Sequence, residues 1–345
     1  MHRARDFILA TDLQLNRHQS SKESYMVARG VMAYVLFVGL MVLNTGNVSG
    51  QSFPTKPIRV ITTEAGGTPE VIARLVFPTV SNALGQPVVI ENIGGELIPG
   101  DLVAKAPPDG ATILVYGSPF WTGPLLHKAP YDPIIDFAPI TLAGRSPSML
   151  VAHPSLPVKT VKELIILAKS RPGELNYASG TAGAASHLSM ELLKLMAGIN
   201  ITRIPYRGGA SAVKDLIAGQ VQLMFTAATS ARPHVKSGQL RALGVSTAQP
   251  TGLAPGVPAI AMSGVPGFES LEFSGVFAPA KTPEAIIKRL NEEIVRVLKS
   301  KDVTERLMNA GCEVVGQSPE QLAATVKAET DKWRRVIKDA GIHGD

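Results

Sequence analysis

The chain has 345 residues, 45% hydrophobic and 18% charged, which excludes a disordered, collagen-like or coiled-coil protein and allows two domains of ordinary size. Its formal net charge is +6, but the basic residues are scattered and aromatics make up 5%, so no nucleic-acid surface is indicated. The single Cys312 cannot form an internal disulfide, so the fold must rest on its apolar core, with Cys312 read as a small buried hydrophobe.

Residues 1–50 differ from the rest. Met26-Val27-Ala28-Arg29 supplies a start and a positive charge, residues 31–43 are an apolar run broken by one Tyr and one Gly, and Val48-Ser49-Gly50 offers small residues for cleavage before Gln51. That run is shorter than the roughly 20 residues a spanning helix needs. The stretch is read as an upstream extension plus a cleaved secretory signal peptide, an uncleaved membrane anchor being the alternative. It holds five Lys/Arg and three Asp/Glu, leaving 29 basic against 25 acidic residues, a net of +4. That mild bias favours anionic small molecules.

From Pro57 the pattern predicts strand 58–63, helix 69–84 closed by Gly85, and strand 87–91. Pro78 is expected to kink or split that helix. A short helix 101–106 and a strand 111–116 complete a βαβαβ unit, which implies a parallel, covered sheet. The grammar restarts after residue 153. A capping box at Thr160 opens a helix to about Ser170, followed by strand 175–178, helix 185–197, strand 201–205, helix 211–218, strand 221–226, helix 230–236 and strand 240–246. After a loop over 247–267 come strand 273–278, a helix to Lys299, and a helix from the capping box at Ser318 to Ala340. The expected architecture is two α/β lobes crossed twice by the chain, with the C-terminal helices packed back on the first lobe.

Three strand-to-helix junctions carry possible chemistry. "TTEAGGTPEVIARL" (62–75) has two glycines for close backbone approach, Thr68 and Pro69 suited to a helix start, and Glu70 in the first turn. Its free N–H groups can bind an anion. A polyphosphate is excluded, because Glu64 and Glu70 flank the turn and neither G-x-x-x-x-G-K-[ST] nor G-x-G-x-x-G is present. The second junction, 176–186, is crowded with small residues and hydroxyls. The third adds Tyr206 and Arg207. Each alone could be a plain turn; together, at the carboxyl ends of parallel strands, they point to a cleft. The run 116–121 offers Ser118 to that cleft, with Phe120 and Trp121 either lining it or packed in the core. No H-E-x-x-H, C-x-x-C or G-x-S-x-G occurs, and the histidines lack metal-ligand spacing, so no catalytic residue, metal or cofactor is expected. His187, in the first turn after the second junction, is the histidine nearest a proposed site.

The ordered motifs "PTKPIRVI", "AGG…VIARL", "LGQPVVIEN", "VAKAPPDG", "PYDPIIDFAPIT", "HPSLPVKTVKELI", "KSRPGELNYASG", "IPYRGG", "IAGQVQLMF", "HVKSGQLRALGVS" and "VFAPAKTP" closely resemble the tripartite tricarboxylate transporter substrate-binding proteins, the Bug receptor family, from about Ser52 onward. The resemblance implies an α/β, two-lobed periplasmic binding protein fold (type II-like), each lobe a mainly parallel sheet covered by helices, that closes like a Venus flytrap on a solute in the interlobe cleft. Lobe 1 is expected over 51–151 plus 274–345 and lobe 2 over 152–273, with hinges near 150–153 and 274–278. The implied ligand-binding residues are Ala65, Gly66 and Gly67 from the first loop, Ser179, Thr181, Ala182, Gly183 and Ser186 from the second, and Ser118 and Thr226 at strand ends; the junctions read for themselves add Glu70 and Tyr206 as ligand-binding candidates. The implied partners are a small organic carboxylate and membrane permease subunits, and the protein is expected to be a periplasmic monomer. The family's commonest first loop has Asp where this chain has Glu70 and an aromatic or apolar residue near Glu64, and "ENIGGELIPGD" is shorter than the usual Gly-rich segment. Extra carboxylates at the mouth favour a mono- or dicarboxylate over citrate. An exported enzyme using Glu64, Glu70, His187 or Tyr206 on a carboxylate, and a ligand-presenting sensor, are the alternatives.

Overall fold

The computed structural model describes residues 53–344 apart from Ala65, Arg207 and Gly208; the expected signal peptide lies outside the described residues. Ile58–Thr62 (β1) leads into helix Thr68–Leu84 (α1), then Val88–Asn92 (β2), Ile98–Ala104 (α2) and Thr112–Gly117 (β3). β2 and β3 flank β1, both parallel to it. Gly85 caps α1 in the left-handed region, as its position after Leu84 predicts. Pro78 does not split α1. The bond lost at its missing N–H is outweighed by Val76, Phe77 and Val80, all fully buried against the sheet.

Two elements that the chain's punctuation concealed follow. Pro119–Leu126 forms a helix (α3), and Phe137–Ala152 forms a 16-residue strand (β4). β4 joins the two halves of the molecule. Its first part pairs antiparallel with Leu271–Pro279 (β9), and residues 148–152 pair with Leu223–Ala227 (β7) and, on the other edge, with Arg241–Val245 (β8). Its register with β9 shifts at Pro139/Thr141, where a proline without an N–H donor is tolerated.

The second half repeats the opening pattern. Val161–Ser170 (α4), Asn176–Ser179 (β5), Ala185–Ala197 (α5), Thr202–Pro205 (β6), Gly209–Ile217 (α6) and Ala228–Lys236 (α7) surround a sheet in which β5 is parallel to both β6 and β7. The strand order is β2-β1-β3-β9-β4-β7-β5-β6. The halves are thus parallel at their outer strands and antiparallel at β4 and β9, the two strands by which the chain leaves the first lobe and returns. Parallel neighbours need helical crossovers, whereas a strand returning from the other lobe enters in either direction.

Glu284–Leu298 (α8), Lys301–Asn309 (α9), the short strand Glu313–Val314 (β10) and Pro319–Asp339 (α10) complete the chain. α8 buries Ile287, Leu290 and Ile294 with α1 and the first sheet. α10 is shared: Leu322 and Val326 pack beside Trp121 and Phe277, while Trp333, Val336 and Ile337 pack with Tyr177, Leu193 and Phe225. Among the described residues no helix is long and apolar enough to cross a membrane.

Candidate functional site

A cavity of about 280 Å³ opens where the carboxyl end of β3, the start of β9, α3 and the β5–α5 loop meet. Its floor follows from two local choices. β3 ends at Gly117, and Pro119 starts α3 immediately, so Ser118 sits at the turn with its Oγ accepting the Phe273 N–H at 3.0 Å. Tyr116 donates its hydroxyl to the Glu96 carbonyl at 3.0 Å. Burial, aided by the charges of Glu96 and Glu64, pushes that phenol up to about 12, so it stays a donor at physiological pH.

The β5–α5 loop forms a second wall, lined by Thr181, Ala182, Gly183, Ala184 and Ala185. Small residues let it approach α3 closely. Gly183 has φ +77°, and a Cβ there would lie 2.0 Å from Leu126 Cδ1. The loop is held from behind. Gly180 donates its N–H to Ser186 Oγ at 3.0 Å, and Arg203 donates to Ser179 Oγ at 2.7 Å and to the Gly180 carbonyl at 2.8 Å. Gly183 donates its N–H to His187 Nδ1 at 3.2 Å. That bond requires an unprotonated Nδ1, which turns Nε2 toward Glu191, 4.0 Å away. Glu191 is buried but satisfied, accepting from the Tyr177 hydroxyl at 2.6 Å and from Lys194 at 2.8 Å. The histidine therefore supports the loop. The amides at the start of the 13-residue α5 give this wall a partial positive charge.

The structure brings Ser118, Thr181, Ala182 and Gly183 together around one cavity. Ser179 and Ser186 buttress the loop. Gly66, Gly67 and Glu70 stand to one side: Pro69 Cγ is 3.5 Å from where a Cβ on Gly117 would sit, so the first loop adjoins the cavity floor without lining it. Glu70 is turned back on its own helix, bonded by Arg74, with the Gly66 N–H 3.5 Å from its other oxygen. Glu64 is exposed, its carboxylate packed over Gly94. Tyr206 donates to Asp215 at 2.9 Å, and Thr226 pairs with Met149 in the sheet; neither lines the cavity. Ala65 lies outside the described residues. Phe120 and Trp121 are fully buried with Tyr131, Phe137 and Phe277, which settles them as core.

Sequence reasoning missed Glu96, Glu272 and Trp333. Glu96 lies in a loop between β2 and α2; Glu272 begins a strand, and Trp333 belongs to the shared helix. No local motif marks them, because only tertiary folding carries them to the cavity. Burial raises the carboxyl pKa of Glu96, with His127, 3.9 Å away, opposing. Glu272 is exposed to solvent at the rim of the cavity. Among the described residues, no group of three or more His, Cys, Asp or Glu is placed to hold a metal ion.

A two-lobed α/β body joined by two strands, with a donor-rich loop facing a small cavity beside them, defines a solute-binding receptor. Residues 72–342 match the tripartite tricarboxylate transporter family receptor. BugT of Bordetella pertussis is 34% identical over 313 residues, covering 88% of this chain and 96% of that protein. Among solved structures, R. palustris Rpa4515 with adipate is 36% identical, with TM-score 0.72, covering 85% of this chain and 100% of that one. MatC of Rhodopseudomonas palustris with bound malate is 32% identical, with TM-score 0.68, covering 83% and 100%. The chain belongs to the tripartite tricarboxylate transporter receptor family, whose Bug proteins are among its relatives. It is a receptor and not an enzyme.

Proposed function

We propose that this receptor is exported to the periplasm with its leader removed, captures a small organic carboxylate between its lobes and delivers it to the membrane subunits of a tripartite transporter. The observation that carries the ligand class is the β5–α5 loop, which brings Thr181 and the amino end of α5 to the wall of a cavity floored by Ser118. Such donors at a helix start suit a carboxylate. Relatives bound to adipate and malate support the same class. Lobe closure is the mechanism, with the hinges in β4 and β9, the strands that join the halves; β4 passes from pairing with β9 through Pro147 to pairing with β7 from Ser148. The Gly66–Gly67 turn beside the floor completes the clamp as the lobes close.

Calorimetry with mono-, di- and tricarboxylates tests this reading. The expected result is 1:1 binding of a mono- or dicarboxylate, weaker binding of citrate and no chemical turnover; conversion of a bound carboxylate would overturn it. Gly67→Val is expected to weaken binding with little loss of folding, because the new side chain would crowd Thr63 Oγ1, 2.9 Å from the Cβ position.

A further inference from the structure

The two halves meet a second time, on the face of the sheet turned away from the cavity. Side chains alternate along β4. Leu150 packs in one core with Leu188 and Trp333, which also line the cavity, whereas Met149 and Val151 pack in another with Ala228 of α7 and Ala254 of the loop after β8. On that second face the turn between α9 and β10 reaches across. Leu307 and Cys312, at its two ends, are buried in the core of the first sheet. A Cβ on Gly311, whose φ is +87°, would lie 2.8 Å from the Thr229 side chain on α7, and one on Gly252 would lie 3.9 Å from Met308 Cε.

Glu313 closes this contact. Through β10 it pairs with Arg145 of β4, whose Nε donates to Glu313 Oε2 at 2.9 Å. Its other oxygen, Oε1, accepts the hydroxyl of Thr251, from the loop after β8. One carboxylate thus joins a residue of the first half to a residue of the second. Between these points β4 changes partners, pairing with β9 through Pro147 and with β7 from Ser148. A bend there moves Thr251 relative to Arg145 and Glu313, and a side-chain hydrogen bond is lost once its heavy atoms separate by more than roughly 3.5 Å.

We infer that Glu313 and Thr251 form a latch that sets the receptor's affinity from outside its cavity, by favouring the arrangement of the lobes in which the cavity is assembled. This rests on the lobe-closure reading above. Both contacts between the halves are made at once here: Gly183 meets Leu126 on the cavity side, and Thr251 meets Glu313 on the other. A contact made in one arrangement and lost in another biases their populations by its free energy, and apparent affinity follows the populated fraction of the competent arrangement. A hydroxyl bonded to a carboxylate is stronger than a neutral pair, and the Glu313 side chain, 17% exposed, is shielded from most water. Neither residue lines the cavity, so both are positioning residues.

Double electron–electron resonance on the solute-free protein tests the latch. Nitroxides at Ile135→Cys, beside the start of β4, and Ile166→Cys, on α4, report the distance between the halves; both positions are exposed (72% and 69%), whereas Cys312 is buried. Thr251→Val is expected to spread the distances beyond those of the parent, and Thr251→Ser, which keeps the hydroxyl, to restore them. Calorimetry with malate and adipate is expected to show binding by Thr251→Val weakened about threefold or more for whichever of the two the parent binds. Parent-like distances in Thr251→Val would overturn the inference, as would a spread that Thr251→Ser reproduces or that leaves the affinity for a bound carboxylate unchanged. The distance measurement needs no solute, so failure of both carboxylates to bind the parent would count against the ligand class alone.

Discussion

At Gly183 the absence of a side chain lets the β5–α5 loop touch α3. Its φ of +77° and the 2.0 Å approach to Leu126 both depend on that. The left-handed region costs a non-glycine residue roughly 1–2 kcal/mol. Gly183→Ala is therefore expected to lower affinity about tenfold or more by calorimetry, with a smaller loss in Tm. Unchanged affinity would remove the loop from the site. Cys312 shows the same economy of space in the core, its Sγ 2.2 Å from the Cβ position of Gly144. Gly144→Ala should destabilise by about 1–3 kcal/mol in urea unfolding, the usual cost of overpacking, and the double variant with Cys312→Ala should recover part of it. Burial pushes the Cys312 thiol up from 9.0 to about 11. The folded protein therefore holds a proton that the unfolded chain releases, so this group's contribution to stability is present below pH 9 and lost as pH rises toward 11. A thiol reagent at pH 8 is expected to leave Cys312 unmodified until the protein is unfolded.

Among the elements, α10 was legible from its first four residues. Ser318 accepts the Gln321 N–H at 3.4 Å, and Gln321 accepts the Ser318 N–H at 3.0 Å, the reciprocal box that Ser-Pro-Glu-Gln predicts. Ser318→Ala should cost about 1 kcal/mol in the same urea assay. Thr160 caps α4 through the Glu163 N–H at 3.2 Å, but the Glu163 carboxylate reaches the Lys159 N–H instead of closing the box on Thr160. β4 was illegible for a physical reason. "FAPITLAGRSPSMLVA" contains two prolines, a glycine and an arginine, all of which read as loop. They are accommodated because the strand changes partners along its length and shifts register twice against β9. α3 was hidden the same way, by Gly123 and Pro124 inside it.

For the molecule as a whole, β4, β9 and α10 are shared by both halves, so the proposed lobe closure would flex two strands and one helix together. α10 carries Trp333 at the cavity while its other end packs with the first lobe. Saturating solute is expected to lower the radius of gyration measured by X-ray scattering and to raise Tm. At a hundredfold excess over Kd the stabilisation would be about 2.7 kcal/mol. Binding that changed Tm but not the radius would mean capture by an already closed receptor.

Most strands and helices, the caps of α1, α4 and α10, the small-residue β5–α5 loop and the family resemblance were readable along the chain, because each depends on neighbours a few residues apart. Periodicity, caps and glycine positions record local geometry directly. The partners of β4, the withdrawal of Glu70 onto Arg74 and the arrival of Glu96, Glu272 and Trp333 at the cavity were decided by tertiary structure alone. The carboxylates that face the cavity lie far apart in sequence and carry no local signal. Those that flanked the glycine turn were the visible ones, and an intrahelical ion pair holds one of them out of the site.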